Sequence, residues 1–524
     1  MTSRIFDTQR SSGGIGIFDG QVEQSAPPVV VPVPDPEFEA WLRDPYAIQT
    51  VLIESGVFAG GEETTRYTCR GTFPTTGPGD VPANQYYAPV ATTGVRFTEQ
   101  LSLSGAGSAS IGDMEFDNTN SVRESWVEDD VWTGRAQRAF MGDRRWGRSS
   151  FRMVFNGMAA GVTRKAGGKI AVKLRDQLQR LDTPLTERTF GGESLTSALV
   201  YPSCFGECHN VTPVYDPETD RYYVHWGAIE DILEVRMNGM KIDDFEKFLD
   251  DGYFKLTVAL VGVLTCSVQG DKFGGVYRNT VAALVQRIVT GYGKDDGRFT
   301  DDDIDLANFA AFEFAHPQAV GLYVPDRVNV LVACAQLADS LGAQIVPSRL
   351  GKLRLIQISA PAGPGSFTVT DAHVVSGTLQ PVTTYDPVAA IKLGFDKNWT
   401  VQANLQVAIP PEHAHLFAEE WLYESDSSSA VKSIYRLNTE VVPKFTLLKT
   451  RLAAKAEAVR RMALWGVKRT MYKFEGYPEM LQLELGQIVT LRHPQNSMSG
   501  GVPALVMSLS PDWDSGHCDV EVLV

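Results

Sequence analysis

The stretch LSLSGAGSASIGDMEFDNTNSVRESWVEDDVW, from Leu101 to Trp132, decides how the rest of the chain is read. Small, polar and apolar residues alternate along it, an acidic, Asn-rich turn follows at Asp117 to Asn120, and tryptophans stand at 126 and 132. Alternation puts successive side chains on opposite faces of a β-strand, so the stretch predicts a strand, a turn and a return with one face buried. No catalytic residue type stands out in it. An assembly part is therefore expected ahead of an enzyme.

Working outward, the flanking sequence from Tyr46 to Phe190 carries short β-like runs between Gly, Pro and Asn, among them YAIQTVLIES, TRYTCRGTF, GVRFTEQLSLS, FRMVFNGMAAG and KIAVKLRD. Strands at regular spacing with turn signals argue for a β-barrel or sandwich. Upstream, prolines 27, 28, 32, 34 and 36 prevent both helix and central strand, which makes residues 1–40 an extended arm, either free or laid on a neighbouring subunit. Downstream the texture is mixed. Asn238-Gly239 is a strong hairpin signal; Thr280 to Ile288 and Arg327 to Leu341 have helical spacing, the latter with Gly342 as its stop. Strands resume through RLIQIS, SFTVTDAHVV, AAIKLGFDKNWTV and IYRLNTEVV, Glu412 to Glu424 has helical spacing, and Lys449 to Leu464 is the clearest helix. The end, LELGQIVTLRHP and ALVMSLSPDW, returns to strand and hairpin.

This gives a multidomain, mainly β chain with an α+β middle. Its expected domains are an arm over 1–40, a first β-barrel over 41–196, an α+β domain over 197–358, a second β-barrel over 359–445, and a helix plus β-hairpin region over 446–524. A length of 524 residues accords with several cores. A net charge of −15 argues against general binding to nucleic acid or anionic membrane, because a phosphate-facing surface needs net cations. Arg144, Arg145 and Arg148 form a local basic patch, read as a solvated loop face. The six cysteines make no framework of close pairs and are read as reduced thiols of a protein made in the cytoplasm. The N-terminus lacks a signal-peptide pattern, and the longest apolar run, Leu256 to Cys266, is shorter than the roughly 20 residues that a bilayer requires.

Neither a G-x-S-x-G elbow nor an H-E-x-x-H zinc motif occurs. His413 and His415, two residues apart on a helix, would face different ways. Thiolates and an imidazole suit zinc or an iron–sulfur cluster, so Cys204, Cys208 and His209 are the best metal candidates, with Cys266 as a further thiol, but a closed site needs about four ligands. The acidic runs Glu128 to Asp130 and KDDGRFTDDDID at 294–305 miss the calcium-loop spacing; the first reads as a solvated turn and the second as a loop whose DDDID portion caps a helix. Gly13-Gly14-Ile15-Gly16 and Gly191-Gly192 read as flexible turns rather than phosphate cradles. The expected site is thus without catalytic residues, cofactor or metal.

Taken in order, SGAGSASIGDMEFDNTNSVRESW, the W-x-G-R of Trp132 to Arg135, KLRDQLQRLDTPLTERTFGG, NVTPVYD, CSVQGD with the helix after it, the helix running into LGAQI, and LGFDKNWTVQ resemble the baseplate-hub proteins at the tail tip of long-tailed bacteriophages and related prophages. The resemblance covers roughly residues 45–510, and its motifs are structural rather than catalytic. It implies a homotrimer with two tube-like barrel domains per subunit, six in all, matching a sixfold tail tube above and a threefold central spike or tail fibre below. Implied partners are the distal tail or tail-tube protein and the spike or fibre, with the tape-measure protein as a further one. Genomic DNA is a partner only in transit through the exit channel, whose acidic lining would not retard it. The implied location is the virion tail tip, after assembly in the host cytoplasm. Rival functions are a tail-associated cell-wall hydrolase or peptidase and a host-glycan-binding tail protein, for which Trp126, Trp132, Trp146 and Trp399 are the stacking residues to examine.

Overall fold

The Leu101–Trp132 stretch carries the chain from one sheet to another. In the computed structural model, which describes residues 36–93, 95–103, 108–191, 198–403, 405–406, 409–438, 440–513 and 515–524, Phe97–Gln100 and Ser108–Ile111 form a hairpin whose first strand also pairs with Val502–Pro511. A few residues on, Met114–Asp117 inserts between Ala91–Thr93 and Lys169–Arg175. The acidic turn follows as expected, with Ser121 at φ 55°, but the expected return strand is absent. A single helical turn, Ser125–Glu128, takes its place. The reason lies in the tryptophans: both fold back onto Phe116, Trp126 at 5.6 Å and Trp132 at 6.3 Å between ring centroids, and the Trp132 indole N–H donates to the Trp126 carbonyl at 2.6 Å. Packing these rings takes precedence over local alternation. Trp132 is 1% exposed.

β-Strand predominates, and the described residues divide into two compact units. One unit combines the described residues before Arg180 with Gln344–Asp386 and Lys468–Val524. It holds a seven-stranded antiparallel sheet ordered Glu62–Arg70, Gln49–Ala59, Ala136–Asp143, Arg152–Lys165, Lys169–Arg175, Met114–Asp117, Ala91–Thr93. This sheet curls into a half-barrel: Thr68 in its first strand bridges Ala88, just ahead of its last, and the Cys69 N–H donates to the Ala88 carbonyl at 2.8 Å. The second sheet is built on Ile488–Leu491, Val502–Pro511, Cys518–Leu523 and Arg469–Gly476, with Gln380–Tyr385 on the far edge and the Phe97–Ile111 hairpin attached. One continuous core, from Val51, Phe116 and Trp132 to Phe474, Val506 and Val522, joins the two sheets.

The other unit combines Arg180–Ala343 with Pro387–Val467. Its main sheet runs Met240–Ile242, Ile229–Met237, Leu264–Phe273, Ser203–Val211, Gly321–Val324. The Asn238-Gly239 turn closes the first pair as expected, both residues at positive φ, 47° and 81°, as a two-residue hairpin turn requires. A four-stranded aromatic-rich sheet (Val214–Asp216, Arg221–Tyr223, Tyr253–Leu256, Phe245–Phe248) and a three-stranded sheet around Ala390–Phe395 complete the β structure of this unit.

Three of the four helices expected from spacing are present as Val281–Gly291, Val330–Asp339 and Arg451–Trp465. Asp305 caps a further helix, Leu306–Ala315, by accepting from the Asn308 N–H at 3.1 Å. Two other readings are corrected. The helical spacing of 412–424 ends at Ala418, and Leu422–Ser427 is a strand on Ala390–Phe395, where ladder pairing overrides local periodicity. The IYRLNTEVV run opens in a helix, Ser429–Tyr435, started by the Ser428 side chain and stopped by Arg436 in the left-handed region at φ 54°. Of the expected arm, residues 1–35 and their glycine run lie outside the described residues; Pro36–Leu42 is helical, with proline at the first position, where its missing N–H is not needed.

Candidate functional site

The strand Ser203–Val211 carries Cys204, Cys208 and His209 and lies between Leu264–Phe273 and Gly321–Val324. It bends at Gly206, whose φ is +63° and whose missing side chain lets the Val320 carbonyl approach; a Cβ there would collide with that oxygen. Cys204 and Cys208 point into an apolar core with Val211, Ile232, Val235 and Val268, and the core takes in Cys266 as well. Burial, reinforced by neighbouring thiols, pushes the Cys204 thiol well up, and burial together with the Glu234 carboxylate does the same for Cys266. The Cys208 thiol donates to the Phe205 carbonyl at 3.7 Å. Metal ligation and nucleophilic attack both need thiolate, and this core favours the thiol.

His209 turns the opposite way, because adjacent strand residues alternate faces. Its Nε2 is 2.8 Å from Glu207 Oε1 and its Nδ1 is 2.9 Å from Asp396 Oδ1, which also accepts from Lys449 Nζ at 2.7 Å. His209 and Asp396 are 1% and 0% exposed. Burial and the Lys449 ammonium lower the His209 pKa, but the Asp396 and Glu207 carboxylates outweigh them and the net shift is upward. Burial would raise both carboxylates; instead His209 and Lys449 bring Glu207 down to about 2 and hold Asp396 well below the usual carboxylate range. With His209 protonated, two cations alternate with two anions. Glu207 and Asp396 sit on opposite sides of the imidazole, so they do not converge on one ion. Among the described residues, no three of His, Cys, Asp and Glu form a metal-holding group.

A second buried cluster lies along the neighbouring strand. Asp271 takes both arms of Arg287 at 2.9 and 3.1 Å and the Tyr292 hydroxyl at 2.6 Å. His225 Nε2 is 3.4 Å from Asp271 and 3.2 Å from the Tyr292 oxygen, while its Nδ1 accepts the Cys204 backbone N–H at 3.1 Å. Against the opposing effect of burial, His225 and Arg287 hold the Asp271 carboxyl well below its usual range. The composition resembles a hydrolytic triad, but both imidazole nitrogens already face protein groups, and neither faces a serine or cysteine side chain. These two clusters cross-brace the unit: the first ties Ser203–Val211 to residue 396 and to the start of the last helix, and the second ties it to the helix Val281–Gly291.

The other sequence candidates are spent in the same way. Arg148 is buried, paired with Glu54 at 2.7 Å and stacked on Phe140 at 3.7 Å, so the solvated reading of the basic patch is corrected for this residue, while Arg144 and Arg145 are exposed as expected, Arg145 pairing with Asp143 at 2.7 Å. Asp130, expected in a solvated turn, is buried against Arg66 at 3.0 Å, while Glu128 meets Arg164 at 2.7 Å. Asp303 pairs with Arg180 at 2.9 Å. His413 and His415 lie on the short helix Pro411–Ala418. Trp126 and Trp146 pack beside Trp132 and the barrel core, and Trp399 packs edge-on to Tyr323 at 6.0 Å under the Lys397 ammonium. Asp396, Lys449, Asp271 and Arg287 were missed because each meets its partner from another element, where local sequence carries no signal, whereas Glu207 stands two residues from His209 on one strand, a spacing that puts both on the same face and could have flagged it.

The chain aligns over most of its length with solved tail proteins, two of them from prophages. A tail protein from Neisseria meningitidis aligns over 90% of this chain and 96% of its own at 10% identity and a TM-score of 0.37. The 43 kDa tail protein of prophage MuSo2 from Shewanella oneidensis aligns over 91% and 98% at 10% identity and a TM-score of 0.36. Prophage tail protein gp18 from Listeria monocytogenes aligns over 90% and 94% at 8% identity and a TM-score of 0.33. The sequence matches no protein-family model and no curated protein.

Proposed function

We propose that the chain is a structural subunit of a phage tail: a baseplate hub that assembles as a homotrimer at the tail tip, joins the tail tube to a central spike or fibre, and surrounds the path of genome ejection. The observation that carries the reading is that the chemistry-bearing clusters around Ser203–Val211 are closed inside the fold and consumed in cross-bracing, as a load-transmitting part requires. Support also comes from the ordered set of hub-like motifs, the first of which forms the joint between the two sheets of the half-barrel unit. The net charge of −15 suits a channel that must release DNA. Among the described residues, no helix is long and apolar enough to cross a membrane.

Co-assembly tests this directly. The purified chain is expected to have three times the single-chain mass in solution and to form a stable complex with its tail-tube or distal tail protein. A persistent monomer that binds neither would overturn the proposal, and turnover of peptidoglycan would overturn its non-enzymatic part.

A further inference from the structure

Charge is segregated along the chain. Residues 134–175, which form three neighbouring strands of the seven-stranded sheet, hold eleven Arg and Lys and a single carboxylate, Asp143, in a chain whose net charge is −15. Six of the eleven pair with carboxylates: Arg135, Arg145, Arg148, Arg164, Lys165 and Lys169. Among the described residues, Arg138, Lys173 and Arg175 pair with no carboxylate, and all three are exposed, Arg175 donating to the Gln179 side chain at 2.7 Å. Ladder register gathers them. Ala139, Met141, Val172 and Leu174 face the core, so strand alternation turns Arg138, Lys173 and Arg175 to the opposite, outer face. There they flank the intervening strand, Arg138 opposite Asn156, Arg175 opposite Met158 and Lys173 opposite Gly161. Glu54, across from Arg138 on its other side, is already taken by Arg148 and the Tyr87 hydroxyl. Like charges gathered in this way repel one another, and each gains when an anionic surface is laid over them. Met153, 37% exposed, lies on the same face opposite Phe140; methionine beside arginine is the composition of a protein contact rather than of a phosphate-binding surface.

The other compact unit carries the complementary charge. Its strand Phe245–Phe248 is the open edge of the four-stranded sheet, with Asp243 and Asp244 before it and Asp250 and Asp251 after it, all four exposed. Among the described residues, Asp243, Asp244 and Asp250 hold no ion pair, and Lys247, the cation on the strand itself, is taken by Asp231 at 2.8 Å. Copies of net charge −15 repel at long range, so self-association needs a place where unpaired cations of one copy meet unpaired carboxylates of another.

We infer that the outer sheet face at Arg138, Lys173 and Arg175 of one copy seats against the acidic edge at residues 243–251 of the next. The contact joins two different surfaces, so it is head to tail, and repetition about an axis closes it into a ring. It rests on the homotrimer reading above and names the surfaces that hold the trimer.

The test uses the full chain. Arg138→Glu with Lys173→Glu, and separately Asp243→Lys with Asp244→Lys, change exposed side chains, so each pair is expected to keep the wild-type melting temperature while raising the subunit dissociation constant about tenfold or more. One chain carrying both pairs of reversals sets acid against base again and is expected to regain most of the lost affinity, a rescue that a folding defect could not give. A trimer that keeps its affinity with the two glutamates overturns this contact and leaves the ring intact. Weakening by the glutamates with no rescue in the combined chain overturns the acidic edge as the occupant. Binding of a short DNA duplex by the wild-type trimer, abolished by the same glutamates while the trimer stays intact, assigns the face to nucleic acid and overturns the proposal. A monomeric wild-type chain overturns the ring and the contact together.

Discussion

Asp396→Asn isolates the charge that holds the first buried cluster together. Asp396 has a φ of +51°, in the left-handed region that asparagine adopts as readily as aspartate, so the substitution leaves the backbone unstrained. It removes one of the two carboxylates between which His209 sits and the one that receives Lys449, and leaves two buried cations facing Glu207 alone. Breaking a buried pair from one side costs about 3–5 kcal/mol. The pH dependence gives the sign. In the native protein the folded His209 pKa lies above its unfolded value, so this residue contributes stability in full below about pH 6.5 and loses it as pH rises through the folded pKa. In the variant, burial and Lys449 act with only Glu207 opposing, the folded pKa falls, and protonation at low pH becomes a cost. The destabilisation should therefore approach 3–5 kcal/mol near pH 5 and shrink toward pH 8. Hydrogen exchange of the Ser203–Val211 amides, compared between native and variant protein at both pH values, measures it without assuming that the whole chain unfolds in one step. A loss below about 1 kcal/mol, equal at the two pH values, would refute the reasoning.

Trp132→Ala removes a fully buried indole from the joint of the half-barrel unit and should cost about 3–5 kcal/mol, read as earlier melting of that unit and loss of assembly; unchanged melting would show that the core lies elsewhere. Gly206→Ala forces a left-handed residue and a clash with the Val320 carbonyl, and should cost about 2–5 kcal/mol, with faster exchange along Gly321–Val324; native exchange there would contradict the strand geometry. Burial pushes the Cys69 thiol to about 11 and Cys518 to about 12, chiefly by desolvation, and the other four thiols are also buried. At pH 8 none of the six should react with a colorimetric disulfide reagent before unfolding, and all six should react in denaturant; a fast-reacting native thiol would sink this assignment.

Local signals carried much of the architecture. The Asn238-Gly239 turn, the helices Val281–Gly291, Val330–Asp339 and Arg451–Trp465, and strands such as Gln49–Ala59, Arg152–Lys165 and Lys169–Arg175 follow from two-residue or helical spacing, whereas Ser203–Val211 carries no such signal. Long-range pairing was hidden. Gln344–Asp386 and Lys468–Val524 return to the sheets begun before Arg180, and nothing local in either stretch records that destination. The site shows the same division. Cys204, Cys208 and His209 were legible as reactive types, but strand alternation sends the two thiols to an apolar core and the imidazole to Asp396, a partner that only the tertiary fold supplies. The helix Arg451–Trp465 was legible as an Ala-rich helix, but that it buries Glu457 and Arg461 depends on the elements packed beneath it.

Density for the chain inside an assembled particle tests the central claim most directly. A map of intact tails should place three copies about the threefold axis where the tail tube meets the spike or fibre, with the half-barrel units around the channel. Six copies stacked along the tube, a single copy, or absence from the particle would contradict the account.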